Sequence, residues 1–368
     1  MAEGTQQAAT LYPGFRPPSE VLWVNSADPD TASKYALKPP SITLSDVAVG
    51  MTVRAVTEPL VKAAQRTWMA AAPKIAVLLL VDCKCSRSSC NLTEAGPLPA
   101  SFFGMAVAAT VKCYCGPRVW KYINTDKTQA LWDELFKLTA RKYYLKIDTD
   151  TMLEPSPLLR HINVLHEETR SKLPYPSMLY FGRDDTAWGA SYPKLISTTW
   201  YKDFTQRISR ELDELDELPP AFGPLSRSKS LLVPYAQGGL IGLSHKMLRL
   251  IVQTRCVQRI GHVVRPSEYG VKSHIDSEDA ALGVCMHIFG APLVSTVCIH
   301  EHTSCACDVE NATQRRLNCQ EDKWDVNSCR VGAISMHRLK KVARYDQCWS
   351  WQQEALSAQR ETFLRPFT

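Results

Sequence analysis

The chain has 368 residues, 45% hydrophobic and 22% charged, with a formal charge of +6 and a pI near 8.6. These values suit a soluble globular protein with a large core, long for one domain and short for three. The mild basic balance contains no dense Lys/Arg block, which excludes a charge-driven nucleic-acid binder and leaves room for a phosphate-bearing small substrate.

Residues 1 to about 45 carry Pro13, Pro17, Pro18, Pro29, Pro39 and Pro40 with little periodicity and read as a stem, linker or surface-wrapping segment. They contain no apolar run of signal or anchor length, and the strongest such run, Ile75 to Val81, is too short to span a bilayer. From about Val53 strand and helix patterns alternate. Leu60, Ala64, Thr67 and Trp68 predict a helix over 57–69 that ends before Pro73. The continuous apolar run 75–81 predicts a strand buried on both faces. A cysteine-rich loop is expected from Asp82 to about Pro99. Asp126 is placed to cap a helix over Lys127–Arg141, with Leu131, Leu135 and Leu138 on one face.

That helix leads into Tyr143-Tyr144-Leu145-Lys146-Ile147-Asp148-Thr149-Asp150. Tyr143, Leu145 and Ile147 alternate with Tyr144 and Lys146, the period of a strand. Asp148 and Asp150, two residues apart, point to the same side of an extended chain. Such a pair at a strand end suits a hard divalent cation and the phosphates it carries. The three residues 148–150 alone favour a plainer strand and Asx turn, because Asp-x-Asp is common by chance.

Further on, a helix is expected near Leu158–Glu168 and a strand over Pro176–Gly182. The charged stretch 203–230 reads as a solvated helix or insertion. Tyr235 to Ser244 places Gly238 and Gly239 where backbone must approach something closely, or simply in a tight turn. Ser244 and Ser277 are positioned as N-caps of two helices, the second with Glu278 and Asp279 in its first turn. Alternation of this kind predicts an α/β fold with a mostly parallel central sheet flanked by helices, its ligand beyond the carboxyl ends of the strands.

The thirteen cysteines gather in loop-like stretches, which predicts disulfides and an oxidising compartment; their close pairs are Cys-x-Cys, so zinc is the weaker use. An odd count predicts at least one thiol that is free or paired with another chain. Cys319 and Cys329 flank a Trp-containing loop that a disulfide would fix. Asn91 and Asn311 head glycosylation sequons.

Six segments, in order, resemble the inverting β-1,3-glycosyltransferases of the Fringe, core-1 galactosyltransferase and β-1,3-galactosyl- and N-acetylglucosaminyltransferase group. They are Gln65-Arg66-Thr67-Trp68, Tyr122 to Thr128, Lys146 to Thr151, Pro234 to Ser244, Ser277 to Gly283, and Ile334 to His337. The chain departs from that pattern at Thr149, where the family has Asp, and at Ala236, where it has Cys. The resemblance spans roughly 50–345. It implies a single nucleotide-sugar-binding catalytic domain of the GT-A type over 46–345, with a tail over 346–368.

It further implies transfer of galactose or N-acetylglucosamine from a UDP-sugar to a glycan or glycoprotein hydroxyl, with Mn²⁺ or Mg²⁺ as cofactor. Asp150, Asp148 and His337 are the implied metal ligands, Asp279 the base and Glu278 its second choice. Arg66, Lys127, Gly238 and Gly239, with the two aspartates, are the implied donor-binding set. Without the resemblance, His337 reads as a strand-end histidine, Glu278 and Asp279 as favourable first-turn acids, and Arg66 as a solvated or ion-paired side chain; Lys127 and Lys146 stay ambiguous. The implied location is the Golgi or endoplasmic reticulum lumen, with any membrane anchor outside this sequence; a homodimer is compatible. The competing expectations are a catalytically silent relative acting as chaperone or glycan binder, and a metal-dependent phosphohydrolase.

Overall fold

The computed structural model describes residues 21–23, 41–82, 109–114, 123–138, 141–172, 178–184, 190–191, 206, 232–263, 278–289, 291–296, 300–302 and 333–364. Strands β2 (Val47–Val53), β3 (Ala76–Asp82), β4 (Thr110–Tyr114) and β5 (Tyr143–Ile147) lie parallel, in the order β5-β2-β3-β4. Strand β10 (Ala236–Ser244) pairs antiparallel with β5 on one side and with β7 (Tyr180–Asp184) on the other. β11 (Leu293–Ser295) and the edge strand β1 (Val21–Trp23) continue parallel to β7. The outcome is an eight-stranded, mostly parallel sheet in the order β1-β11-β7-β10-β5-β2-β3-β4. Because β10 runs against its neighbours, its amino end reaches the edge where the other strands end.

Helices cover both faces. On one lie α1 (Pro59–Ala64, continued by a π turn over Gln65–Met69), α3 (Pro155–Lys172) and α7 (Val342–Leu364). Trp68, Leu158, Ile162 and Tyr345 pack there against Val49, Leu79, Leu145 and Ile147. On the other lie α2 (Ile123–Lys137), α4 (His245–Thr254), α5 (Cys256–Val263) and α6 (Glu278–Ile288). Their Leu131, Trp132, Ile251, Ile260 and Leu282 meet Ala48, Leu78, Leu80 and Tyr144. The alternation read along β5 is therefore real: odd residues face α1, α3 and α7, while Tyr144 faces the α2 layer. Two small sheets complete the described structure. One orders β12 (His300–His302), β13 (Ser335–His337) and β6 (Met152–Leu153); the other pairs β8 (Ala190–Ser191) with β9 (Leu232–Val233).

Several boundaries differ from the sequence reading. Helix α2 starts at Ile123, so Asp126 lies inside its first turn. There its buried carboxylate meets His262 Nε2 at 2.9 Å, linking α2 to α5 instead of capping a helix. Helix α3 begins at Pro155, since a proline in the first turn lacks only an N–H that has no helical partner. Ser244 stands at the N-cap position of α4, yet its side chain makes no capping bond. Its Oγ accepts the Leu179 N–H at 2.9 Å, tying β10 to the approach of β7. Val21–Trp23, within the expected stem, forms the sheet's edge, and α7 runs across the 345/346 boundary. Cys256 and Cys285 form a disulfide joining α5 to α6 that no local spacing announced. Among the described residues no cysteine is free. The Cys319/Cys329 loop, both sequons, the Ser277 cap and nearly all of 203–230 lie outside the described residues.

Gly242 shows how tightly the sheet is covered: a Cβ there would sit 2.0 Å from the Phe181 ring. His161, on α3, packs edge-on to the same ring and is fully buried. Burial pushes its imidazole down to about 3. In the unfolded chain the same group titrates near 6.5. The folded state thus binds fewer protons between those values, and the stability present above pH 6.5 drains away as pH falls. We expect His161→Leu to flatten the fall in urea midpoint between about pH 6.5 and pH 4.5 relative to wild type. An unchanged slope would show that His161 does not govern acid sensitivity.

Candidate metal and carboxylate site

The strand ends and the β6–β13 pair bring distant parts of the chain to one place. Asp148 and Asp150 follow β5 directly, and His337 closes β13. Backbone hydrogen bonds fix their spacing. The Thr151 N–H donates to the Asp148 carbonyl, closing the turn, and the Leu339 N–H donates to the Asp150 carbonyl, each at 3.0 Å. The second bond needs the chain to fold back after His337, which Arg338 does with a φ of 67°, in the left-handed region. Met152 and Leu153 pair in register with Met336 and Ser335. From α7, the buried Tyr345 hydroxyl donates to the Thr151 carbonyl at 3.2 Å.

His337 Nε2 lies 3.3 Å from Asp150 Oδ1 and 3.5 Å from Asp148 Oδ2. One donor atom from each of the three residues falls within 4.8 Å of the others. Burial works against a charged His337 imidazole, but hydrogen bonds and charge from Asp148 and Asp150 override it and hold its pKa above the ordinary value. The pair of carboxylates therefore draws positive charge to the spot where a cation would sit, and an arriving ion would displace that proton. Two carboxylate oxygens and one imidazole suit Mn²⁺ better than Ca²⁺.

A second group adjoins the triad. Lys146 shares the strand parity of Tyr144 and so faces α6. Its Nζ is 3.5 Å from Asp148 Oδ1, 3.5 Å from Glu278 Oε1 and 3.4 Å from Asp279 Oδ1, with the side chain 2% exposed. Burial alone would depress the ammonium; Asp279, Asp148 and Glu278 reverse that and raise it far above its usual value. For Asp148, burial pushes upward, and Lys146 followed by His337 pulls the carboxyl below the usual range. Asp279 goes the other way. Burial raises it, Lys146 opposes, and Glu278 and Asp148 add repulsion, leaving it well above an ordinary aspartate.

Gly238 is the backbone wall of this pocket. A Cβ there would meet Asp279 Oδ2 at 2.8 Å and Asp148 Oδ2 at 3.1 Å. The close approach expected of the glycines is thus made by Gly238 toward two of the expected acids, and Gly239 is buried beside it. The other expected donor-binding residues are placed differently. Arg66 makes an ion pair with Asp346 of α7, both side chains partly exposed. Lys127 sits half-buried within α2. Sequence reasoning left Lys146 ambiguous; its even position on β5 was the one available signal.

No protein-family model matches the chain, and no curated protein matches it. Among solved structures it is similar to mouse xyloside xylosyltransferase 1 in its apo form, at 10% identity and a TM-score of 0.34, over 79% of this chain and 96% of that one. The six-segment resemblance to β-1,3-glycosyltransferases accordingly has no matching family model behind it.

Gly238→Ala tests the packing of the pocket. The added methyl must push the Asp148 and Asp279 carboxylates aside while the sheet persists. We expect Mn²⁺ binding, followed by calorimetry, to weaken by roughly tenfold with the near-UV circular dichroism retained. Wild-type affinity in this variant would show that these carboxylates do not set the ion site.

Proposed function

We propose that this chain is a metal-dependent inverting glycosyltransferase of GT-A type. In this reading it moves a hexose or N-acetylhexosamine, galactose or N-acetylglucosamine, from a UDP-sugar to a hydroxyl of a glycan or glycoprotein, forming a β-1,3 linkage. The observation that carries the proposal is the convergence of Asp148, Asp150 and His337 at the carboxyl edge of the sheet, beside Asp279 on the amino-terminal turn of α6. Residues from opposite halves of the chain meet there with the chemistry that transfer from a nucleotide diphosphate needs.

Asp148, Asp150 and His337 would hold the divalent cation, which would supply positive charge against the negative charge growing on a leaving diphosphate. Asp279 takes the proton of the acceptor hydroxyl. Its upward-shifted carboxyl makes it a stronger base than an exposed aspartate. Glu278 shares the same lysine and is the neighbouring acid. Gly238 keeps backbone rather than side chain against both carboxylates. A silent relative acting as a chaperone or glycan binder has no need of the triad, which is here intact. A phosphohydrolase reading leaves the lysine-held acids on α6 without a role. Work in the Golgi or endoplasmic reticulum lumen agrees with the disulfide between Cys256 and Cys285.

The test is a donor screen: purified protein, Mn²⁺ and a panel of nucleotide sugars, with UDP release as readout. One UDP-sugar is expected to turn over, and Asp150→Ala to lower that rate about a hundredfold or more while the protein stays folded. Full activity after exhaustive chelation would defeat the metal-dependent reading. Release of inorganic phosphate without sugar transfer would replace it with hydrolysis.

A further inference from the structure

Asp148 divides its two oxygens between two neighbours. Oδ1 lies 3.5 Å from the Lys146 ammonium, while Oδ2 lies 3.5 Å from His337 Nε2 in the triad. The same ammonium stands 3.5 Å from Glu278 Oε1 and 3.4 Å from Asp279 Oδ1. Three acids from two separate elements thus surround one cation tethered to β5. Lys146 is 2% exposed, so its charge is compensated by these acids and not by bulk water.

Without the ammonium, three carboxylates would converge on the space it fills. Oxygen donors at that density are what a hard divalent ion takes. The lysine holds the same place with one positive charge tethered to β5 and shielded from solvent. It also keeps Oδ1 of Asp148 engaged, so that only Oδ2 is turned toward His337.

We infer that Lys146 is a positioning residue standing where a second divalent cation would otherwise bind. It fills the shared centre of Asp148, Glu278 and Asp279, commits Asp148 to the Asp150–His337 group through a single oxygen, and limits the site to one ion. The inference rests on the proposed function for the meaning of the first ion, but the metal count that tests it is independent of transfer activity.

The experiment counts Mn²⁺ ions per chain by loss of the free-ion electron paramagnetic resonance signal, with no nucleotide sugar present. Lys146→Met is expected to bind one more ion than wild type. Lys146→Gln, which keeps polarity and most of the volume, serves as the second variant where the methionine form does not fold, and the same gain is expected. Lys146→Arg keeps the cation and should match wild type. Adding Asp279→Asn and Glu278→Gln to the methionine or glutamine variant should abolish the extra ion. A purely structural ion pair would lower stability in the methionine and glutamine variants without changing the count, and that result overturns the inference. So would an extra ion in Lys146→Arg. A wild-type protein that binds Mn²⁺ yet turns over no nucleotide sugar would end the transferase reading and leave the ion count standing.

Discussion

The buried Lys146 ammonium is the interaction on which the rest of the site depends. A lysine at this depth is tolerable only because three carboxylates surround it, and three carboxylates at this spacing are tolerable only because the lysine is there. The balance ties β5 to α6. The disulfide then ties α6 to α5, and the Asp126–His262 contact ties α5 to α2, the helix that leads into β5. The carboxyl edge of the sheet is thus closed into a ring of contacts, with charge at the front and covalent and packing contacts behind.

One reversal of direction makes the edge usable. Were β10 parallel to β5, its amino end would lie at the far side of the sheet. Running antiparallel, it delivers Gly238 against Asp148 and Asp279. Glycine suits that position, since a Cβ at Gly238 would press on the Asp279 and Asp148 carboxylate oxygens and shift them. On the opposite side, the left-handed turn at Arg338 performs a matching task, folding the chain so that a backbone bond spans from Leu339 to Asp150. The two acids that would hold an ion are consequently fixed through main chain as well as through side chains.

Much of this was legible in the sequence because it is local. Alternation along 143–147 gave β5 and the faces of its residues, and the apolar run at 75–81 gave β3 within one residue. The acidic pair and His337 were read through their order in the chain, which the structure turns into proximity. What stayed illegible is what depends on tertiary partners. Asp126 looks like a cap until His262 is seen beside it. Ser244 looks like a cap until the Leu179 N–H claims its oxygen. Of the three partners of Lys146 only Asp148 is near it in sequence; the other two arrive on a helix more than a hundred residues later. The pairing of Cys256 with Cys285 has the same cause: helix packing, not spacing, sets the distance.

The placement of His337 on a short strand late in the chain has a consequence for biosynthesis. Chains emerge from the ribosome amino end first, and domains compact as their segments appear. The strands β2 to β5 can pair while the carboxyl-terminal portion is still being made. Asp148 and Asp150 nevertheless wait for β13 and the turn at Arg338 to dock against them. The Asp148–Asp150–His337 group therefore assembles only once β13 has emerged, well after β2 to β5. A chain cut short before that strand would keep most of its sheet-forming segments while lacking the imidazole that completes the group.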